Sequence, residues 1–410
     1  MDCSVDRLRN HDIVTLCVAT LLCLSVLMVQ SASMHVTGST SWGWTDRGTR
    51  HLIYAVLGVV AFVLAARFDY RTVFSAERSF LASPSVWALG LSVLLCAAVL
   101  VPGVGKEVNG ARRWIVMGPI QVQPSEIAKW SVVIFLAWWL TSSRAKLDRF
   151  RTLVLTLLPV ACIALLIVIE DFGTAVLIGM CAFSMLCCSR VKKWQLFALV
   201  PPVLAAGVWF ITHKEYRVRR MMAFLDPWAS PRGEGYHMVQ SLLSFSTGGL
   251  TGKGLGNGVQ KLGYLPEDTT DFIFAVVCEE LGVSGAMLVV AMYLGIMYVT
   301  WQLIRSDRDS FGKMLAFGIT AMVALQAAIN IAVATVSVPT KGLSLPLVSA
   351  GGSGMVISCA ALGLLCSVCK FRHAEGPATK VGVNLAAREG SSDAVPERVS
   401  EADWRAWTKA

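Results

Sequence analysis

Ten apolar stretches constrain what this chain can fold into more than any other feature of its sequence. Each has about 17 or more mostly apolar residues, enough for an α-helix to cross the hydrocarbon core of a membrane. They cover residues 12–33, 51–67, 85–102, 125–141, 152–169, 172–188, 194–212, 272–303, 312–336 and 346–369. Composition agrees, because 15% of the residues are charged, against about 25% in soluble domains. The sequence therefore predicts an all-α polytopic membrane protein with about ten transmembrane helices.

The segments outside these stretches divide the chain further. Residues 213–271, between the seventh and eighth stretches, are rich in glycine and charge and are predicted to form one large extracytoplasmic loop. Residues 1–11 are predicted to be a cytoplasmic N-terminus and residues 12–369 the membrane domain. Residues 370–410 form a polar tail, which is predicted to be cytoplasmic and disordered.

The distribution of positive charge predicts the orientation. With the N-terminus in the cytoplasm, the short inside loops hold 12 Lys and Arg residues and the short outside loops hold 6. Because short cytoplasmic loops favour positive charge, both termini are predicted to be cytoplasmic. The net charge of +9 then needs no nucleic-acid partner, since the cations lie in membrane loops rather than on one basic face.

In this orientation, charged and polar residues gather at the outer face. Cations suit a substrate that carries phosphate, and a carboxylate at the start of a helix suits a general base. The candidate base is Asp271, where the large loop meets the eighth stretch. The candidate substrate-binding residues are Arg112, Arg113, Arg217, Arg220, Lys253, Glu267, Lys341 and Ser349. A membrane location suits a substrate with a lipid tail.

Simpler interpretations of these residues stay open. The arginines could contact only phospholipid headgroups, and Asp271 could merely cap the eighth helix. The glycine-rich run around Lys253 does not predict a nucleotide-binding loop, because Gly254 follows the lysine and no strand precedes it.

Four polar residues lie inside apolar stretches. Gln326 and Asn330 in the ninth stretch fall within an arc of about 40° on one helix face. They either form hydrogen bonds between helices or line a cavity. Glu126 and Lys129 in the fourth stretch are three residues apart and are predicted to pair, mainly for structural reasons.

Two adjacent acids, Glu279 and Glu280, lie about two helical turns into the eighth stretch. A carboxylate at that depth needs a partner, because charge is costly in a membrane. Cations from the outer face are predicted to supply it.

A series of short motifs connects these candidates. In chain order they are Gly-Ala-Arg-Arg-Trp-Ile (110–115), Gln-Pro-Ser-Glu-Ile-Ala-Lys (123–129), Asp-Phe-Gly-Thr (171–174), Tyr-Arg-x-x-Arg (216–220), Phe-Leu-Asp-Pro-Trp (224–228), Gly-Gly-Leu-x-Gly-Lys-Gly-Leu-Gly (248–256), Tyr-Leu-Pro-Glu (264–267), Thr-Asp-Phe-Ile-Phe-Ala (270–275), Glu-Glu-Leu-Gly (279–282) and Ser-x-Gly-Gly-Ser (349–353). The series resembles the SEDS family in content and order, over about residues 10–370. Pro-Thr-Lys-Gly (339–342) resembles its division-type (FtsW-like) branch.

The resemblance implies an enzyme of the bacterial inner membrane. It would be an inverting peptidoglycan glycosyltransferase that polymerises lipid II at the outer face, for septal wall synthesis. A class B penicillin-binding protein and other division proteins would be its partners. A divalent cation, Mg²⁺ or Mn²⁺, would be its one cofactor. The family's essential aspartate maps to Asp271. The alternatives are a lipid II flippase and a non-catalytic scaffold of the division machinery.

Three positions depart from the family's usual pattern. Thr269 stands where His is frequent, Glu170 where Pro is frequent, and Ala350 where Tyr is frequent. None of them removes the aspartate.

Overall fold

The structure, a computed structural model, describes residues 9–37, 47–74, 82–108, 111–118, 120–142, 149–213, 215–305 and 309–371. In chain order its elements are α1 (Asn10–Thr37), α2 (Arg47–Arg67), α3 (Tyr70–Val73), α4 (Pro84–Leu100), β1 (Gly105–Val108), β2 (Ala111–Met117), β3 (Ile120–Val122), α5 (Pro124–Thr141), α6 (Phe150–Val168), α7 (Phe172–Cys187), α8 (Lys193–Ala198), α9 (Val200–Thr212), α10 (Glu215–Leu225), α11 (Tyr236–Gly248), α12 (Ile273–Ile304), α13 (Ser310–Ala334) and α14 (Ser353–Phe371). Of the predicted tail, residues 372–410 lie outside the described residues, as do residues 1–8 of the predicted N-terminus.

The predicted class of fold is confirmed. Over the described ranges, seven helical segments are long and apolar enough to cross a membrane: α1, α2, α6, α8 with α9, α12, α13 and α14. The helices α4 and α7 are shorter but also apolar, and α5 carries Glu126 and Lys129 near its start. Each predicted stretch thus has a helical counterpart, while the number of ten membrane crossings stays a prediction.

The centre of the bundle is built on α5, α12 and α13. The helix α5 packs against α4, α7 and α13, and α12 packs against α1, α11 and α13. Nearly every side chain of α5 is buried, including Trp138 and Lys129. Because α5 is enclosed by protein, it tolerates charged residues that a lipid-facing helix would not.

A three-stranded sheet connects α4 to α5, where the sequence predicts only a loop. The strands β1 and β2 pair antiparallel, as do β2 and β3, in the order β1-β2-β3. The strands are short and β2 carries Arg112 and Arg113 directly after its first residue, so they lack the alternating apolar pattern by which a strand is normally recognised. The sheet adds to the all-α fold without altering the bundle.

The predicted outer loop, residues 213–271, is largely folded. It contains α10, a 3₁₀ turn (Pro227–Ala229) and α11. The helix α11 packs against α12, and Ser241 Oγ donates a 2.6 Å hydrogen bond to the carbonyl of Ala334 in α13. The loop is therefore attached to the bundle beside the start of α12.

Within α12, Gly282 interrupts the regular helix with φ 64° and ψ −158°. The backbones of Leu250 and Gly252 pack where a side chain on Gly282 would lie. Only glycine adopts this conformation readily and leaves room for that contact. The kink thus seats the glycine-rich run against α12.

Candidate active site

The backbone of Asp271 is held from two sides. Asn330 Nδ2, on α13, donates hydrogen bonds to the carbonyls of Asp271 (2.8 Å) and Leu343 (2.7 Å). On the other side, Ser349 Oγ donates a 2.5 Å hydrogen bond to the carbonyl of Thr270. The end of the outer loop is therefore fixed to α13 and to the segment that precedes α14.

Asp271 does not cap α12. The N-cap position belongs to Phe272, and no side chain makes a capping hydrogen bond there. Burial raises the pKa of the Asp271 carboxyl to about 7, and the negative charges of Glu267 and Asp171 act in the same direction. Arg113 and Arg220 oppose this rise. A carboxyl with a pKa near neutrality is suited to accept a proton at physiological pH.

Arg113 projects from β2 towards the carboxylates of Asp171 and Asp271. Its guanidinium Nη1 lies 3.8 Å from Asp171 Oδ2, and Nη2 donates to the carbonyl of Glu170. Its buried Nε has no hydrogen-bond partner in the structure. A side chain on Gly342 would lie 3.5 Å from Asp271 Oδ2 and 3.6 Å from Arg113 Nη1, so Asp271 and Arg113 approach the same point of the backbone.

Asp171 is fixed by its role at the start of α7. Its Oδ1 accepts a 3.0 Å hydrogen bond from Thr174 N, and its Oδ2 accepts a 2.8 Å hydrogen bond from Thr174 Oγ1. This is an N-cap, which satisfies a free N–H group of the first helical turn. The sequence identified Asp171 only as part of a motif, not as a charge acting on Asp271.

Lys341 lies beside the start of α7. Its Nζ sits 5.4 Å from the centre of the Phe172 ring, and burial lowers the pKa of its ammonium group. Glu267 has a positive φ of 56°, and its carboxylate accepts a 2.9 Å hydrogen bond from Thr270 Oγ1. Arg113, Arg220 and Glu267 therefore act on the Asp271 carboxyl, and Lys341 lies next to Gly342, which approaches it. Their roles in substrate binding, and the location of this end at the outer face, stay predictions.

Three other predicted substrate-binding residues have partners away from Asp271. The backbone N–H of Arg112 donates to Glu170 Oε2 (2.8 Å). The guanidinium of Arg217 stacks 3.7 Å from the Phe210 ring and donates to the Phe210 carbonyl. Lys253 Nζ lies 2.7 Å from Glu279 Oε1. Their roles in substrate binding stay predictions.

The intramembrane polar residues form a chain of hydrogen bonds. Lys129 Nζ lies 2.8 Å from both Glu126 Oε1 and Gln326 Oε1. Gln326 Nε2 donates in turn to the Ser344 carbonyl (2.7 Å). Of the two interpretations, Gln326 and Asn330 thus make hydrogen bonds between elements, and their targets lie in the segment around Lys341 and Asp271.

A recess opens beside Arg113, between the ends of α4 and α6. Its apolar wall includes Cys96, Val99 and Ile167. Arg113 and Asp171 line its polar wall. Apolar and cationic surfaces side by side suit a ligand that joins a hydrocarbon chain to an anionic group.

The donor set near Asp271 does not form a metal site by itself. Among the described residues, no three His, Cys, Asp or Glu side chains lie together in a way that could hold a metal ion. Both oxygens of Asp171 already accept hydrogen bonds from Thr174. The predicted divalent cation stays a prediction.

Sequence reasoning missed His237, which stacks on Phe272 with ring centres 5.9 Å apart. Burial also raises the pKa of the neighbouring Asp268 carboxyl, to about 6. His237 lies 34 residues before Asp271 in the chain. No local motif connects the two, because the folding of the outer loop brings them together.

The bundle and this site define a polytopic membrane protein with a candidate acid–base centre at one end. Residues 11–374 match the FtsW/RodA/SpoVE family, described as cell cycle proteins. The chain belongs to this family, and it is an FtsW-like SEDS protein.

Relatives with curated names are similar over most of the chain. A protein of Dichelobacter nodosus named "Probable peptidoglycan glycosyltransferase FtsW" is 39% identical over 359 residues, which cover 86% of this chain and 89% of the relative. A protein of Nitrosococcus halophilus with the same name is 38% identical over 360 residues, which cover 85% of this chain and 89% of the relative.

Solved structures share the fold. A chain from a peptidoglycan synthase complex, described in terms of coordinated polymerization and crosslinking, superposes with a TM-score of 0.71 at 27% identity, covering 88% of this chain and 98% of that one. The rod shape determining protein RodA of Thermus thermophilus superposes with a TM-score of 0.61 at 24% identity, covering 87% of this chain and 95% of that one. The likeness to RodA shows the fold alone.

Proposed function

We propose that this protein is a peptidoglycan glycosyltransferase that polymerises lipid II into glycan strands at the outer face of the bacterial inner membrane. The observation that carries the proposal is the Asp271 carboxyl, whose pKa of about 7 suits a general base, flanked by Arg113 and Arg220. The curated names of relatives at 38–39% identity support the same reaction.

The reaction joins two molecules of an undecaprenyl-pyrophosphate-linked disaccharide-pentapeptide, or one such molecule and a growing strand. A sugar hydroxyl of the acceptor lipid II attacks the anomeric carbon of the donor and forms the new C–O bond. The C–O bond to undecaprenyl pyrophosphate breaks with inversion at that carbon, and Asp271 takes the hydroxyl proton. Proton transfer to a positioned base is worth about 10²–10⁴ in rate.

Cations near Asp271 suit the leaving group. Departing pyrophosphate gains negative charge, which fixed positive groups stabilise most where water is excluded. The cations that would stabilise the pyrophosphate are Arg113, Arg220 and Lys341. The two arginines act electrostatically on Asp271, and Lys341 directly precedes Gly342, which approaches Asp271. The recess beside Arg113 offers an apolar wall for the isoprenoid chain.

The partners and location follow from the same proposal. A class B penicillin-binding protein would cross-link the strands, together with other division proteins at the septum, and both termini would face the cytoplasm. The similar chain from a peptidoglycan synthase complex supports a partner of this kind.

A lipid II flippase and a non-catalytic scaffold are the rival functions. The experiment is polymerisation of lipid II by the purified protein in detergent, with and without a penicillin-binding protein, with product length read on a gel. We expect polymer from the wild-type protein and none from Asp271→Asn. Wild-type protein that moves lipid II across vesicles without polymerising it would favour the flippase, and inactivity in both assays would favour the scaffold.

The Asp271→Asn protein should fold and accumulate normally. A raised carboxyl pKa means that the folded state disfavours the charge, so a neutral amide is compatible with the site. Loss of polymer at normal protein levels would therefore report lost chemistry rather than lost structure.

A further inference from the structure

His237, on α11, touches the segment that carries the site's acids at both of its ends. This segment, residues 266–272, is called the carboxylate segment here and contains Glu267, Asp268 and Asp271. At its end, the His237 ring stacks on Phe272 with centres 5.9 Å apart and planes 9° apart. At its beginning, the Pro266 carbonyl acts on the same ring and favours its protonated form. His237 Nδ1 is buried and has no hydrogen-bond partner in the structure.

The carboxylate segment needs such support because its own backbone is strained. Glu267 has φ 56°, a conformation that is costly for a residue with a side chain. Within the segment, Thr270 N and Phe272 N both donate to the Glu267 carbonyl, at 3.2 Å each. Asn330 and Ser349 hold Asp271 and Thr270 from the bundle side. His237 makes contacts to the segment from α11.

The charges around His237 also act on Asp271. Arg220, Glu267 and Glu234 act on the imidazole, and Arg220 and Glu267 act on the Asp271 carboxyl together with Arg113 and Asp171. Burial, followed by Arg220, lowers the pKa of His237, so the ring is neutral at neutral pH. A neutral ring packs on Phe272 without adding a positive charge that would favour the ionised form of Asp271.

We propose that His237 is a positioning residue that holds the carboxylate segment closed over the start of α12. Through Phe272 and Pro266, it keeps water away from Asp271, and exclusion of water is what makes this carboxyl a base near neutral pH. His237 does not itself touch the substrate. The role deepens the proposed glycosyl transfer and rests on it.

Three variants separate the two contacts. His237→Ala removes both the ring and the donor. His237→Gln keeps an N–H donor for the Pro266 carbonyl and a flat amide against Phe272, and His237→Phe keeps only the stack. The matched control is His213→Ala, because His213 also stacks on an aromatic ring, Trp209, at 4.9 Å, but is exposed at the end of α9.

The kinetic readout is lipid II polymerisation as a function of substrate concentration and pH. We expect His237→Ala to lower kcat about tenfold or more, the scale of effect that misplacement of a reacting group produces. KM should stay within about twofold, because the substrate contacts are intact. The acid limb of the pH profile should move to lower pH, since water now reaches Asp271. His237→Gln should recover most of both losses, His237→Phe less, and His213→Ala should match the wild type.

A second readout needs no substrate. Hydrogen–deuterium exchange of a peptide covering residues 266–272 should be faster in His237→Ala than in the wild type, and close to wild type in His237→Gln. If wild-type protein makes no polymer, the proposed function fails, while the exchange result still decides the positioning role.

Two results would overturn the positioning role. One is a His237→Ala protein with the wild-type kcat, acid limb and exchange. The other is a lower kcat with the acid limb and the exchange unchanged, which would make His237 a substrate contact. If His237→Ala does not fold, the comparison of His237→Gln with His237→Phe decides, because equal pH profiles and equal exchange in these two would exclude a role for the polar contact with the Pro266 carbonyl.

Discussion

Two effects of opposite sign act on the Asp271 carboxyl, and burial is the larger. The start of a helix and the cations Arg113 and Arg220 favour the ionised form. Burial, with the nearby charges of Glu267 and Asp171, favours the neutral form and brings the pKa to about 7. The residue types alone could not decide between these effects, because burial depends on how the outer loop folds over the site.

The first prediction concerns the pH dependence of polymerisation. A general base must be unprotonated, so the rate should rise as pH increases through about 7, the pKa of Asp271. The measurement is kcat/KM for lipid II as a function of pH between 5 and 9. A rate that stays flat over this range, as expected for a carboxyl with its ordinary pKa of about 4, would contradict the prediction.

The second prediction concerns Asp171. Asn is also a good N-cap residue, so Asp171→Asn should preserve α7 while removing a negative charge that raises the pKa of Asp271. The acid limb of the pH profile should move to lower pH. Asp226→Asn is the control, because Asp226 caps the 3₁₀ turn at Trp228 and Ala229 and is absent from the charges that shift Asp271. Equal limbs in the two variants would remove Asp171 from the electrostatics of the site.

At the scale of elements, the glycine-rich run is fixed to α12 by two buried acids. Glu279 accepts hydrogen bonds from Lys253 Nζ (2.7 Å) and from two backbone N–H groups. Glu280 accepts from Lys261 Nζ (2.6 Å), Ser31 Oγ (3.0 Å) and Gly256 N (3.1 Å). The expectation that cations would pair with these acids is confirmed. Lys261 was not foreseen as one of them, because the sequence does not show how the loop returns to the helix.

The third prediction concerns this buried pairing. Lys261 and Glu280 are both fully buried, so Lys261→Met leaves a carboxylate without its cation and should cost about 3–5 kcal/mol. The measurement is thermal unfolding of the purified protein in detergent. Lys253→Met should cost less, because Lys253 is 30% exposed and Glu279 keeps its backbone donors.

The double variant Lys261→Met with Glu280→Gln is the control for this prediction. It removes the charge along with its partner, so it should recover part of the lost stability. Equal losses in the single and double variants would mean that packing, rather than the unpaired charge, accounts for the effect.

Elements differed in how far the sequence could predict them. Long apolar helices such as α1, α12 and α13 follow from length and hydropathy, because a membrane demands both. The sheet does not, since its strands exist only by pairing with one another over residues 105–122. Arg113 was therefore found as a candidate, while its direction towards Asp171 was not.

For the whole molecule, polymerisation at the outer face requires that the end of the bundle that holds Asp271 is the outer end. The start of α12, the start of α7 and the sheet lie together, since Arg113 of β2 contacts Asp171 and a side chain on Gly342 would approach both Arg113 and Asp271. The sequence could predict that these regions share a face from the alternation of crossings. It could not identify which side chains meet, because that depends on hydrogen bonds such as those of Asn330.

The fourth prediction concerns the orientation of this end. Positive charge in the short loops, 12 residues against 6, predicts that both termini are cytoplasmic and the site is outside. In a variant without the native cysteines, an impermeant thiol reagent applied to spheroplasts should label a cysteine placed at Asn257, which is exposed, and should not label one at position 390. Permeabilised cells provide the control, since both positions should then react. Labelling at 390 but not at 257 in intact spheroplasts would place Asp271 on the cytoplasmic side, and polymerisation at the outer face would then be excluded.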